Sequence, residues 1–297
     1  MKEKIIIDTD IGDDIDDALA ISFALNCPEL EVIGITTVFK NPVKRAKIAK
    51  RILQLAGRED IPVYAGYAHP LLRQVSTDGV MNQYEENMSE LTYNTDRDAI
   101  DYIIDELMTS DGDKVLVPIG PLTNIAAAMI KRPEIKGKIR RIVMMGGHYY
   151  SQYVEYNIQC DPEAAKVVLE SGIPIQAIGT DVTLQCRLRD MDRLRMEKGN
   201  APLTRFLHGI ITDWENRTRH LPLLHDPLAV CAIFNPAMLE MEQQKIKVEL
   251  RGEHTRGMTF NTTNWLTWRD IAPNDVWVAK SVKIDSFIDL FVARTFQ

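Results

Sequence analysis

Residues 5–20 read IIIDTDIGDDIDDALA, which puts Asp8, Asp10, Asp13, Asp14, Asp16 and Asp17 within ten consecutive positions. Like charges this close raise one another's pKa values unless a positive group sits among them. Capping explains part of the cluster. Asp14 is placed to cap a helix starting at Ile15, and Asp16 and Asp17 in its first turn complement the helix dipole. Asp8 and Asp10 need another reason, because they lie on or just past an apolar strand, where carboxylates are rare unless paired or metal-bound. No Lys or Arg is concentrated beside them in the sequence. A hard divalent cation, which takes carboxylate, carbonyl and water oxygens, is therefore the expected neutraliser. The stretch is not an EF-hand: a loop from Asp8 would need Asp or Asn at position 12, Gly at 13 and Glu at 19, where the chain has Gly12, Asp13 and Leu19.

The elements that must hold these groups alternate. Short β-rich runs (KIIID, EVIGITTV, IPVYAG, KVLVPIG, RIVMMGG, PIQAIGTD and KVEL) are separated by helical patterns over 16–26, 42–56, 97–109, 122–131, 162–170 and near 202–218. This predicts an α/β fold with an open, mainly parallel, Rossmann-like sheet and helices on both faces. Many of the strands end in Asp, Asn, Gly or Pro, and ligands in such sheets bind beyond the carboxyl ends of the strands. Residues 67–96 and 147–160 break the alternation with long polar stretches, which predicts lids or site walls. Nothing marks a boundary, so residues 1–297 are expected to form one domain.

Composition narrows the class. The net charge of −7 argues against nucleic acid as the main partner. The four cysteines are far apart with no CxxC, so neither a zinc knuckle nor a disulfide framework is indicated. The start lacks the pattern of a signal peptide and no apolar run approaches membrane-spanning length, which predicts a cytoplasmic protein without a membrane partner.

Read in order, the segments DTDIGDDIDDALA (8–20), ITTVFKN (35–41), VPIGPLTNIA (117–126), VMMGG (143–147), EYNIQCDPEAA (155–165), GTDVT (179–183) and HDPLAV (225–230) resemble those of the inosine–uridine-preferring nucleoside hydrolases. The resemblance implies the open parallel sheet expected above, and calcium-dependent hydrolysis of the N-glycosidic bond of ribonucleosides to ribose and free base. It implies that Asp10, Asp17 and Asp226, with the backbone carbonyl of Ile119, ligate the metal, and that Asp10 also takes the proton of the attacking water. Asp16, Asn41, Glu155, Asn157 and Asp226 would contact ribose hydroxyls, and Met145 would line the site. His225 would protonate or orient the leaving base. A homodimer or homotetramer is the implied assembly.

Two departures bear on these expectations. The commonest family form has one residue between the glycine and the Asp pair, whereas Asp13, Asp14 and Ile15 intervene here. Either Asp13/Asp14 or Asp16/Asp17 is then the working pair; DDALA, opening an apolar helix, favours the second. Many relatives also carry a histidine after the PL turn, where this chain has Asp78-Gly79, and the loop after Tyr149-Tyr150 is shorter and lacks an asparagine found in some relatives. Base handling is thus the least determined part, with Tyr84, Trp214, Arg217 and His220 as candidates by position and Trp265 and Trp268 as candidates for stacking. Each group also has a plain structural reading: Asn41 and Asp161 as helix caps, Thr123 or Asn124 capping the turn after GPL, Met145 as core. Two other functions stay open: a haloacid-dehalogenase-type phosphohydrolase with Asp8 as nucleophile, and a nucleoside- or ribose-binding protein without turnover.

Overall fold

In a computed structural model the described residues are 2–77, 81–263 and 275–296. The strands are β1 (Glu3–Thr9), β2 (Leu30–Thr37), β3 (Val63–Ala65), β4 (Lys114–Pro118), β5 (Ile139–Met145), β6 (Ile175–Ile178), β7 (Leu239–Val248), β8 (Thr259–Asn261) and β9 (Asp275–Val282). They form one sheet in the order β3-β2-β1-β4-β5-β6-β9-β7-β8. From β3 to β9 all neighbours are parallel; β7 runs antiparallel to β9 and β8. The open, mainly parallel α/β sheet expected from the alternation is therefore the fold.

Helices α1 (Asp16–Leu25), α2 (Pro42–Leu55), α3 (Ala99–Met108), α4 (Thr123–Lys131), α5 (Tyr156–Cys160), α6 (Pro162–Leu169), α7 (Thr180–Thr183), α8 (Arg193–Met196), α9 (Pro202–Thr218), α10 (His225–Phe234) and α11 (Ile284–Thr295) cover it. Strand residues point alternately to opposite faces. Ile5 and Ile7 of β1 enter a core with α1, α2, α9, α10 and α11, while Ile6 enters the other with α3, α4 and α6. α1 and α10 are buried nearly all round, with α10 packed against both α1 and β5. That is why neither shows the one-sided apolar stripe of a surface helix.

The capping expectations divide. Asn41 and Asp161 cap α2 and α6, accepting from the N–H groups of Lys44 and Ala164 at 3.0 Å each. α4 begins at Thr123 with no side-chain cap, because Asn124 is turned elsewhere. α1 also lacks a side-chain cap; Asp14 accepts only from the N–H of Ile15, at 2.6 Å.

One feature of the topology fixes where the site lies. After β1 the chain builds outward through β2 and β3, then returns to β4 on the other side of β1. A parallel sheet opens a crevice at such a switch point, beyond the carboxyl ends of the two central strands. Asp8 pairs with Thr36 of β2 and Pro118 of β4, so the aspartate-rich loop emerges into that crevice.

Candidate active site

A cavity of about 420 Å³ opens at the crevice, and the ends of β1, β4, β5 and β6 with the first turns of α1, α5 and α10 supply its walls. Asp10, Asp16 and Asp17 enter from the β1–α1 connection, and Asp226 from the second position of α10. All four are buried, between 3% and 7% exposed. Oxygens of Asp16, Asp17 and Asp226 all lie within 4.8 Å of one another, among the described residues a trio fit to hold a cation. Thr9 Oγ1 donates to Asp17, and the N–H of Asp226 donates to Asp16 at 3.4 Å. Burial and mutual repulsion push the carboxyls of Asp16, Asp17 and Asp226 well above the usual carboxylate range. Asp10 lines the same cavity outside that trio, and burial raises its carboxyl to about 6, partly offset by the charge of Arg45.

The other aspartates of the loop are accounted for within the protein. Asp13 accepts from Lys40 Nζ at 2.9 Å and from Arg45 Nη2 at 3.1 Å. Arg45 is fully buried, and its remaining donors reach the carbonyls of Phe39 (2.8 Å) and Ile11 (2.9 Å). It thereby joins the aspartate loop to the turn after β2, where Phe39 and Lys40 both adopt positive φ, 70° and 57°. Such backbone is costly for non-glycine residues and persists only where surroundings enforce it. Gln83 and Asn82 support the same loop from outside, donating to the carbonyls of Asp14 and Asp13. Part of the long stretch 67–96 is thus a buttress.

Asp8 faces away from the cavity. Its Oδ1 accepts from Thr36 at 2.6 Å and Asn124 at 2.8 Å, its Oδ2 is buried without a hydrogen-bond partner, and burial raises the carboxyl to about 7. A nucleophile needs access to substrate, and at 1% exposure Asp8 has none. Gly120, across the crevice, makes room for Asp10: a Cβ there would stand 2.6 Å from the Asp10 carboxylate.

The rest of the wall holds polar groups fixed by hydrogen bonds. Asn157 Nδ2 donates to the carbonyls of Ile119 (3.0 Å) and Met145 (3.3 Å), so these two strand ends and the start of α5 meet at one amide. Glu155 caps α5, taking N–H groups of Asn157, Ile158 and Gly147 at 2.9, 3.1 and 2.9 Å. His225 Nδ1 lies 2.6 Å from Thr183 Oγ1, and burial, with the charge of Arg187, lowers the imidazole to about 4. The ring is therefore neutral at neutral pH, with its Nδ1 side engaged by the Thr183 hydroxyl.

The structure thus brings Asp10, Asp16, Asp17, Ile119, Met145, Glu155, Asn157, His225 and Asp226 to one cavity. Asn41 does not line it and serves α2 instead. Of the base-contact candidates, Trp214 lines it, with Arg217 stacked 5.8 Å over its ring; Tyr84 packs on the core under Lys44, and His220 is exposed. Asp78-Gly79, Trp265 and Trp268 lie outside the described residues. Sequence reasoning missed Thr180, Leu184 and Tyr153 in the wall and Arg45 behind it. Tyr153 belongs to a stretch whose length had marked it as a wall, whereas nothing in KRAKIAKR distinguishes Arg45.

The sequence matches the family model of the inosine-uridine preferring nucleoside hydrolases over residues 5–289. A pyrimidine-specific ribonucleoside hydrolase, RihB of Escherichia coli (strain SE11), is 35% identical over 278 residues, covering 87% of each protein. Among solved structures, a purine-preferring ribonucleoside hydrolase from Gardnerella vaginalis matches with a TM-score of 0.84 at 32% identity over 98% of each chain. A plant nucleoside hydrolase, the PpNRh1 enzyme, matches with a TM-score of 0.86 at 28% identity over 100% of this chain and 99% of its own.

Proposed function

The chain belongs to the inosine-uridine preferring nucleoside hydrolase family, and on that premise we propose that it hydrolyses the N-glycosidic bond of ribonucleosides in the cavity described above, with calcium as the metal. The observation that carries this reading is the set of buried carboxylates at the strand ends: Asp16, Asp17 and Asp226 converge, and among the described residues no Lys or Arg is hydrogen-bonded to them. Buried charges of one sign are tolerated when a cation completes the set. Asp10, Asp16, Asp17, Asp226 and Ile119, whose carbonyl also accepts from Asn157, line the same cavity, and such an all-oxygen set suits a hard ion. Asp10, Asp17, Asp226 and the Ile119 carbonyl would hold the metal, and Asp16 would contact the sugar. Bound calcium supplies positive charge that favours an ionised water and fixes the ribose hydroxyls.

The protein's own groups do the rest. Asp10 accepts the proton of the water as its oxygen bonds to C1′ and the C1′–N bond breaks, the electron pair leaving with the base. The ribosyl transition state has oxocarbenium character, and the surrounding carboxylates stabilise its positive charge. Asp16, Asn157, Glu155 and Asp226 hold the sugar hydroxyls, with Met145 against the ring. His225, neutral and fixed by Thr183, orients the departing base through a hydrogen bond. Asn41 enters this scheme only as the cap that shapes the loop.

The test is ribose release from uridine, cytidine, inosine and adenosine by the wild-type protein and Asp10→Asn. Loss of the general base is expected to lower kcat by about a thousandfold. Unchanged release by the variant would overturn the assignment of Asp10, and no release from any nucleoside would overturn the activity.

A further inference from the structure

Among the polar groups of the cavity wall, the Thr180 hydroxyl has no task in the reaction as described, yet it is firmly held. Thr180 follows β6, lines the cavity and is 7% exposed. Its Oγ1 lies 2.9 Å from Nδ1 of His148 and 3.2 Å from the carbonyl of Gly147. The other ring nitrogen, Nε2, is 3.1 Å from Asp181 Oδ1 and 2.6 Å from Ser151 Oγ. Asp181 is fixed in turn by the N–H groups of Tyr149 (2.8 Å) and Tyr150 (3.1 Å).

With the His148 N–H on Nε2, toward the accepting carboxylate of Asp181, Nδ1 takes the hydroxyl hydrogen of Thr180. In the opposite tautomer that hydrogen goes to the Gly147 carbonyl. Both arrangements commit the hydrogen to the protein and leave oxygen lone pairs for the cavity. Thr180 is thus an acceptor awaiting a donor from the substrate.

The walls indicate which donor. The carboxylates stand at the end of β1 and the starts of α1 and α10, so a ribose presenting its 2′,3′-diol to them turns its 4′ substituent to the far wall. That wall is formed by the ends of β5 and β6. Glu155 accepts the N–H of Gly147 while Thr180 contacts the carbonyl of the same residue, so the two side chains flank one glycine. His225, on the first turn of α10, faces the leaving base instead.

Resting on the ribonucleoside reading, we propose that Thr180 accepts a hydrogen bond from the ribose 5′-hydroxyl, and that His148, braced by Asp181, is the positioning residue that keeps this acceptor turned to the sugar. The test compares kcat/KM on uridine and inosine with their 5′-deoxy counterparts in the wild type, Thr180→Val, Thr180→Ser and His148→Phe. One neutral hydrogen bond predicts a wild-type preference for the 5′-hydroxyl of about tenfold, lost in Thr180→Val, retained in Thr180→Ser and reduced to about threefold in His148→Phe. The 5′-deoxy substrates should be turned over almost equally by all four proteins, an outcome that a merely structural role would not give. Equal losses on parent and 5′-deoxy substrates, or a selectivity that follows the base, would overturn the proposal. Ribose release from no nucleoside at all would instead sink the activity, and the comparison would pass to calorimetric affinities for ribose and 5-deoxyribose, where an equal response of both sugars to Thr180→Val overturns it.

Discussion

Replacing Arg45 by Met removes a cation with no solvent exposure, strands the carbonyls of Ile11 and Phe39, and leaves the carboxylate of Asp13 with Lys40 alone among its cationic partners. Breaking a buried charged network by removing one partner costs about 3–5 kcal/mol. The site adds its own share, since the charge of Arg45 lowers the Asp10 carboxyl. Asp13 is 30% exposed in its side chain and keeps water as a partner, so Asp13→Asn should cost only about 1–2 kcal/mol. In the Arg45→Met background, however, Asp13→Asn removes a carboxylate that repels Asp10, so the double variant should be no less stable than Arg45→Met alone. The coupling energy is then about 1–2 kcal/mol, within the range of contacting residues. Urea unfolding of the four proteins, followed by tryptophan fluorescence in chelator, measures it. Strictly additive effects, or an Arg45→Met loss below about 1 kcal/mol, would refute the idea that this buried guanidinium organises the aspartate loop.

Two further outcomes follow from the same geometry. Asp226→Asn removes one of several buried carboxylates that repel each other, so in chelator its melting temperature should equal or exceed that of the wild type. Calcium at a hundred times its Kd should stabilise the wild type by about 2.7 kcal/mol and the variant by much less; an equal calcium shift in both would remove Asp226 from the ligand set. Asp8→Asn, altering a carboxyl turned away from the cavity, should keep ribose release within about tenfold of wild type, because it leaves the acceptor bonded to Thr36 and Asn124 in place. Abolished activity in a folded Asp8→Asn protein would contradict that placement.

The parallel strands β1 to β6 were legible because buried strands are continuous apolar runs, whereas β9, parallel to β6, was not anticipated. α9 lies at Pro202–Thr218 as the pattern proposed, and α2 and α6 differ from expectation by a residue at one end. The antiparallel edge was not legible. β7 is LEMEQQKIKV, a half-exposed strand dense in Glu, Gln and Lys, and only its last two residues were anticipated within KVEL. α10 was recognised as a motif but not as a helix, because HDPLAVCAIF is apolar on every side and shows no period. Among site residues, local chemistry revealed the carboxylates and long-range contacts decided the rest. Asn124 was a plausible cap until its amide was seen to reach Asp8, and Lys40 and Arg45 were unremarkable until the fold brought them against Asp13. Both possible aspartate pairs line the cavity, but their surroundings differ: Asp13 is tied to cations and Asp14 is exposed, while Asp16 and Asp17 converge on Asp226.

That convergence spans most of the chain, since Asp226 follows Asp16 by 210 residues. As the chain is synthesised, the first strand and helix exist long before the segment that brings the last carboxylate. Contacts between such distant segments form late, after loop closure has been met by packing elsewhere. The aspartates of the β1–α1 connection repel one another on their own, and Asp226 adds a further like charge to them when α10 packs on α1. The carboxylate trio is complete only where α10 packs against α1, so loosening of α10 would part Asp226 from Asp16 and Asp17 while β1 and α1 still stand.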